Sequence, residues 1–578
     1  MNAVNLLRQQ GFSELACQFA AYIGRQQTPE NPLISLTAGL LSEAISEGHV
    51  CLNLSVEQSW SADIMRQLPD SQHWQQQLSA SDVVGKPGEF KPLILTADGR
   101  LYLYRYWQDE QHVAHAIRQR ASVLQALPNE EVLQHFFAGW QQNVTGTDWQ
   151  KVAVLSALSH QLTVISGGPG TGKTTVVLKI LQAFAQTEPD LRIALTAPTG
   201  KAAARLQTSV SDGQTAIAAK TLHRLLGISQ RAPEGRFNAD NPLPLDVLII
   251  DEASMIDISL MALTLKALPV NARLILLGDA DQLASVESGA VLASLSDQPP
   301  AFSSPFAALA EKITGITLTA STDSSPLQDC LVKLQHSYRF ASGGVIGQLA
   351  EAVRLGDVQS LTEQLKANPE MLQPADKTTI EQSLLAGYQH FIHAVEKRLP
   401  ASDILSAFEQ FRMLCALRQG PFSVASINQQ MQQLLARRGW RTTQPFYPGR
   451  PIMVTQNHYR LNLFNGDAGV ILPNTDGELQ ACFLFAGELR WIPLSRLPAH
   501  ETVFAMTVHK SQGSEFDAVS ILLPEDISPV LNQQLLYTAI TRAKESLNIL
   551  ATENVLQHTI STNHQRESGL KEQLNKSD

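Results

Sequence analysis

Residues Ser166 to Thr175 read S-G-G-P-G-T-G-K-T-T. From Gly167 to Thr174 this fits the phosphate-loop pattern G-x-x-x-x-G-K-[ST]. The apolar run Leu162-Thr163-Val164-Ile165 precedes it and reads as a buried parallel strand; Thr175 to Leu181 follows and reads as a helix. In that setting Gly167, Gly168, Pro169, Gly170, Thr171 and Gly172 form a loop that cradles an anion at a helix N-terminus, the glycines letting the backbone N–H groups wrap it while Pro169, which has none, shapes the turn. Lys173 is then placed to reach the β- and γ-phosphates, Thr174 to hold Mg²⁺, and Thr175 to close the loop. The stretch implies an α/β domain that binds a nucleoside triphosphate, and says nothing of how the energy is used.

The pattern around it continues in kind. Between Trp149 and Asp297 the chain alternates strand, loop and helix, with strands expected at Leu162–Ile165, Leu191–Leu195, Val247–Ile250 and Leu274–Leu277. Loops at the carboxyl ends of such parallel strands are where ligands bind. The third strand ends in Asp251-Glu252. A Mg²⁺–ATP site needs one acid to hold the metal and one to activate the attacking water, and Asp251 and Glu252 fit those two roles. The fourth strand runs into Gly278-Asp279-Ala280-Asp281-Gln282, whose Gln282 is suited to the γ-phosphate and the attacking water. Upstream, Gln150 offers a side-chain amide that can read the adenine edge.

Composition bounds the rest. At 578 residues and 44% hydrophobic the chain implies roughly three or four domains, not one core. No apolar run is long enough for a bilayer, and Met1 to Leu7 lacks the features of a signal peptide. The scattered cysteines (Cys17, Cys51, Cys330, Cys415, Cys482) form no C-x-x-C pair and fit a reducing cytoplasm. A net charge of −10 argues against a nonspecific nucleic-acid coat but leaves a local binding cleft open.

Further motifs follow in order: Thr196-Ala197-Pro198-Thr199-Gly200-Lys201-Ala202-Ala203, Thr221 to Gly227, His336-Ser337-Tyr338-Arg339-Phe340, Ala505 to Phe516, and Leu535 to Lys544 with Arg542. From Gln150 to Lys544 the set resembles the superfamily 1 helicases. Ala38 to Glu43, Gly48 to Leu52, Met413 to Phe422 and Pro451 to Asn457 are further similar to the RecD family, the α subunits of exodeoxyribonuclease V (RecBCD).

The resemblance implies two RecA-like domains with ATP and Mg²⁺ between them. The expected fold is α/β: an N-terminal partner-docking domain over 1–120, a first RecA-like domain over 121–330, a second over 331–440 and 504–557, an SH3-like β insertion over 441–503 with a hairpin signal at Asn465-Gly466, and a polar, unstructured tail over 558–578. Residues Pro299 to Gln328, rich in Ser, Pro, Ala and Thr, read as a surface insertion or linker. By resemblance Arg339 and Arg542 sense the γ-phosphate, Glu515 holds the ribose, and Pro198, Thr199, Thr221, His223, Thr507 and His509 contact single-stranded DNA. The implied activity is ATP-dependent 5′→3′ DNA unwinding with RecB and RecC at duplex DNA ends, in the cytoplasm, serving double-strand break repair by recombination and degradation of linear duplex. No separate two-metal cluster suggests a nuclease site in this chain. The competing readings are a free-standing DNA or RNA helicase and an ATP-binding subunit that does not unwind.

Overall fold

The computed structural model describes residues 3–576 apart from 28, 30, 57–59, 126, 128, 141–145, 212–216, 230, 323–324, 340–343 and 486, so Phe340 lies outside the described residues. Six strands form the first sheet: β1 (Leu162–Gly167), β2 (Ile193–Ala197), β3 (Ala219–Thr221), β4 (Val247–Ile250), β5 (Arg273–Gly278) and β6 (Leu331–Leu334). All pair in parallel, in the order β6-β1-β5-β4-β2-β3. Side chains alternate along each strand. Val164, Leu248, Ile250, Leu274 and Leu276 pack into one core, while Ile165, Val247, Ile249, Ile275 and Leu277 pack into another on the opposite face. Both faces are covered, so the central strands read as unbroken apolar runs, Val247 to Ile250 in β4 and Leu274 to Leu277 in β5.

A second parallel sheet contains β7 (Leu372–Gln373), β8 (Phe411–Cys415), β9 (Ala505–Thr507), β10 (Phe516–Leu522) and β11 (Ala543–Leu550), in the order β7-β11-β10-β8-β9. Between β8 and β9 the chain leaves this sheet to build a five-stranded antiparallel one over 450–502. The N-terminal unit packs three helices (Ala3–Gln9, Glu14–Arg25, Pro32–Ser46) against a small sheet whose strands end at Leu103. Ser13 and Asn31 cap the second and third of these helices. No helix among the described residues is long and apolar enough to cross a membrane.

The structure departs from the sequence reading in five places. Helix α1 (Tyr104–Ala121), expected in the N-terminal domain, gives Val113, Ala114, Ala116 and Ile117 to the core of the first sheet. Strand β6, expected to open the second domain, pairs with β1 in the first. Residues 299–328 are more than a linker: Ser304–Thr314 is a helix, and Phe302, Phe306, Ala310 and Ile313 are buried in the first domain's core. Asn465-Gly466 turns the chain into the strand Ala468–Pro473, but that strand's partner ends at Val454, so the connection is a long loop and not a two-residue hairpin.

The fifth departure is the segment from His558, expected to be unstructured. After the helix Glu553–Ser561 it runs back across the molecule. Arg566 donates to the carbonyls of Ser285, Glu287 and Gly289, and the Val50 N–H donates to the Glu567 carbonyl. The helix α2 (Leu570–Leu574) then buries Leu570 and Leu574 beside α1. The buried Glu110 of α1 accepts from Ser568 Oγ, Gly569 N–H and Tyr102 OH. A strap made largely of polar residues is ordered here because its backbone and side chains find partners on both the N-terminal unit and the first domain.

Candidate nucleotide and strand-binding site

The phosphate loop links β1 to the helix α3 (Lys173–Thr187). Gly170 and Gly172 sit at φ +75° and +79°, where a side chain is strained. Lys173 Nζ donates to the carbonyls of Gly167 (2.6 Å) and Gly168 (3.2 Å), holding its ammonium over the loop. Around this loop lies a cavity of about 320 Å³. The first domain lines it with Gln150, Pro169 to Thr175, Arg205, Asp251, Glu252 and Gln282; Arg339, Glu515 and Arg542 enter from the linking segment and the second domain. Gly167 and Gly168 do not line it; they end β1 and enter the loop, and an added Cβ on Gly168 would stand 3.0 Å from Tyr537 OH.

Burial pushes the Asp251 carboxyl up to about 6, and the neighbouring Glu252 adds to the effect. The Glu252 backbone takes the left-handed conformation, φ 53°, and its N–H donates to Asp251 Oδ1 at 2.9 Å. This turn points two consecutive carboxylates into one space. Gln282 Nε2 donates to Asp279 Oδ2 (2.8 Å), which also accepts from Tyr537 OH of the second domain (3.2 Å). Burial raises Asp279 to about 6 as well. Two further bonds tie this loop across the cleft: Leu283 N–H to Thr538 Oγ1 and Gln512 Nε2 to the Leu283 carbonyl.

The cationic side is as closely held. Arg542 is 3% exposed, and donates to the carbonyls of Thr538 and Ser514. Arg339 Nη2 pairs with Glu515 Oε1 at 2.7 Å, and Arg205 Nη2 pairs with the same oxygen at 2.5 Å. Burial opposes the charge on Glu515, but the two guanidinium groups outweigh it and hold the carboxyl at about 2. Arg339 Nη1 is buried with no hydrogen-bond partner among the described residues. A buried, unsatisfied donor is costly, and an anion in the cavity would relieve it. The cradle therefore fits a nucleotide's phosphates.

Comparison with known proteins agrees. Residues 8–102 match the family described as RecBCD enzyme subunit RecD, N-terminal domain; 150–288 match an AAA domain, and 502–550 a UvrD-like helicase C-terminal domain. The RecBCD enzyme subunit RecD of Haemophilus influenzae is 36% identical, covering 82% of this chain and 80% of that one. That of Mycobacterium tuberculosis is 38% identical over 94% of this chain and 91% of the other. The chain belongs to the RecD family. An ATP-dependent RecD2 DNA helicase of Deinococcus radiodurans is 30% identical over 78% of this chain, which spans 55% of that protein.

In this RecD-family chain the residues expected to meet the strand occupy loop ends on both sheets. Pro198 and Thr199 follow β2, and Thr199 Oγ1 accepts the Ala202 N–H at the start of the helix α4 (Gly200–Ser211). Thr221 is buried and caps the short helix Leu222–Leu226, on which His223 is exposed. Thr507 ends β9 and accepts the Lys510 N–H. His509 is partly buried, and burial lowers its imidazole below the usual range.

Two placements add to the sequence reading. The Gln150 amide donates to the Thr171 carbonyl at 2.9 Å, so it braces the phosphate loop as well as lining the cavity. Arg205 was missed. Its signal is helical spacing: Ala202, Arg205, Leu206 and Ser209 recur at one face of α4 and all line the cavity.

Proposed function

We propose that this chain is the ATP-driven 5′→3′ DNA helicase subunit of an exodeoxyribonuclease V (RecBCD) complex. In this reading it works with RecB and RecC in the cytoplasm, in recombinational repair of double-strand breaks and in degradation of linear duplex DNA. The observation that carries it is the composite cavity, in which Lys173, Asp251 and Glu252 on one parallel sheet face Arg542 and Glu515 on the other. Such a site is complete only when the two domains are together, so binding and hydrolysis change their separation.

The roles follow from chemistry and placement. Lys173 and the loop N–H groups bind the β- and γ-phosphates. Thr174 and Asp251 would hold Mg²⁺, which when bound neutralises charge on the phosphate oxygens. Gln282 orients the attacking water, and Glu252 accepts its proton as the bond to the γ-phosphorus forms and the bond to the ADP oxygen breaks. Arg339 and Arg542 stabilise the charge that develops. Glu515 reaches the ribose hydroxyls only by giving up part of its present hold on the arginines. Pro198, Thr199 and Thr221 with His223 grip strand phosphates from the first domain, and Thr507 with His509 from the second. Contacts of this kind are blind to sequence.

The N-terminal unit, residues 3–103, is assigned to partner docking; none of its described residues lines the cavity, and the RecD N-terminal match lies on it. The deciding assay is unwinding of duplexes with a 5′ or a 3′ single-stranded tail by the purified full chain, beside co-purification with RecB and RecC. Unwinding only from 3′ tails overturns the polarity. Equal stimulation of hydrolysis by single-stranded RNA favours an RNA helicase, and failure to capture either partner favours a free-standing one.

A further inference from the structure

Arg205 belongs to neither group of residues assigned above, yet it lines the nucleotide cavity and stands on the helix that starts beside Thr199. Its guanidinium lines the nucleotide cavity with Asp251 and Glu252, and its side chain is 47% exposed, within reach of a ligand there. Its helix, α4, begins at the strand-side loop, where Thr199 caps the first turn. Arg205 is six positions beyond Thr199 on this helix, about 9 Å along the axis. The strand-side loop and the cavity-lining face of α4 thus belong to one rigid element.

The other side of the contact has the same double character. Arg205 Nη2 pairs with Glu515 Oε1 at 2.5 Å, and its Nη1 lies 3.4 Å from the Gly513 carbonyl. Ala202, one turn earlier, sits against Gly513, whose added Cβ would stand 3.6 Å from the alanine methyl. Gly513 and Glu515 belong to the segment that carries Thr507 and His509. Glu515 is also shared with Arg339. A shift of α4 by a fraction of an ångström therefore changes an ion pair that sets two guanidinium groups of the cavity at once.

We propose that Arg205 is the positioning residue through which strand occupancy reaches the nucleotide, acting through its pair with Glu515. With the strand seated at the start of α4, the helix moves and re-partitions Glu515 between Arg205 and Arg339, freeing guanidinium charge for the phosphates. The proposal rests on the ATP and strand assignments made above.

The test uses the full chain and two readouts: ATP hydrolysis at saturating ATP with and without oligothymidylate, and anisotropy of fluorescently labelled oligothymidylate. Arg205→Gln is expected to lower the ratio of strand-stimulated to basal rate at least tenfold while the dissociation constant for oligothymidylate moves less than threefold. Arg205→Lys, which keeps the charge but loses the planar fork, should fall between. Glu515→Gln breaks the same pair from the other side, and the double variant should lose no more stimulation than the worse single one. An unchanged ratio in Arg205→Gln overturns the proposal. So does loss of oligothymidylate affinity in step with stimulation, or losses that multiply in the double variant. A wild-type chain that oligothymidylate does not stimulate defeats the strand-motor reading itself, and this proposal with it.

Discussion

Gly172→Ala isolates the phosphate loop in a single methyl group. The residue sits at φ +79°, and a Cβ there would stand 2.2 Å from Gln150 Nε2. Holding alanine in the left-handed region costs about 1–2 kcal/mol. Gln150 is 4% exposed and its amide is bonded to the Thr171 carbonyl, so pushing it aside forfeits a buried hydrogen bond, about 1 kcal/mol more. The two terms act on the same loop and together come to about 2–3 kcal/mol. If nucleotide binds the loop in this conformation, the cost appears as a 30- to 150-fold weaker dissociation constant, since about 1.4 kcal/mol is tenfold. Titration with a fluorescent ATP analogue measures it. Gly139→Ala is the control, because nothing lies within 4 Å of its added Cβ. Binding by Gly172→Ala within threefold of the parent refutes the reasoning, and shows that the loop reorganises on binding.

Lys173→Gln should lower kcat by about 10²–10⁴, the scale of a lost electrostatic contact, with an unchanged circular dichroism spectrum; near-parental hydrolysis would reject the site. Glu252→Gln should still bind ATP while barely turning it over, as read by analogue titration beside a phosphate-release assay. Asp467 is pushed up to about 6 by burial, so the folded chain holds its proton where the unfolded chain has lost it; stability from this group falls as pH rises towards and past 6. Asp467→Asn should therefore stabilise the β insertion at pH 8, by about 2–3 kcal/mol, with the gain shrinking as pH falls below 6 and gone by pH 4 in chemical denaturation. Leu570→Ala removes a side chain 1% exposed and should cost about 2–4 kcal/mol, seen as faster hydrogen exchange in α1.

The motor half of the molecule was legible because its signals are local. A phosphate loop, a strand ending in Asp251-Glu252 and a segment such as Ser337 to Arg339 each carry their chemistry within a few residues, and the strand spacing supplies the sheet. What stayed hidden depends on partners far apart in sequence. Arg205 reads as one more charge on a helix until Glu515 stands opposite. In 299–328 the Ser- and Pro-rich composition masked Phe302, Phe306, Ala310 and Ile313, whose spacing marks a buried helical face. The strap at 562–574 shows only Leu570 and Leu574 as apolar anchors, and the partners of Arg566 are backbone carbonyls, which no side-chain pattern reveals.

That strap also orders events on the ribosome. Strands β1 to β6 and helix α1 emerge long before Leu570 and Leu574, so the apolar surface beside Val113 and Ile117 stays open while the whole second sheet is translated. Glu110 waits equally long for Ser568 and Gly569. The nascent N-terminal half thus carries uncovered apolar surface until those residues emerge, and a chain that stops before 566 leaves that seam unsealed. Completion of the early domains is a late event, set by residues that do not line the nucleotide cavity.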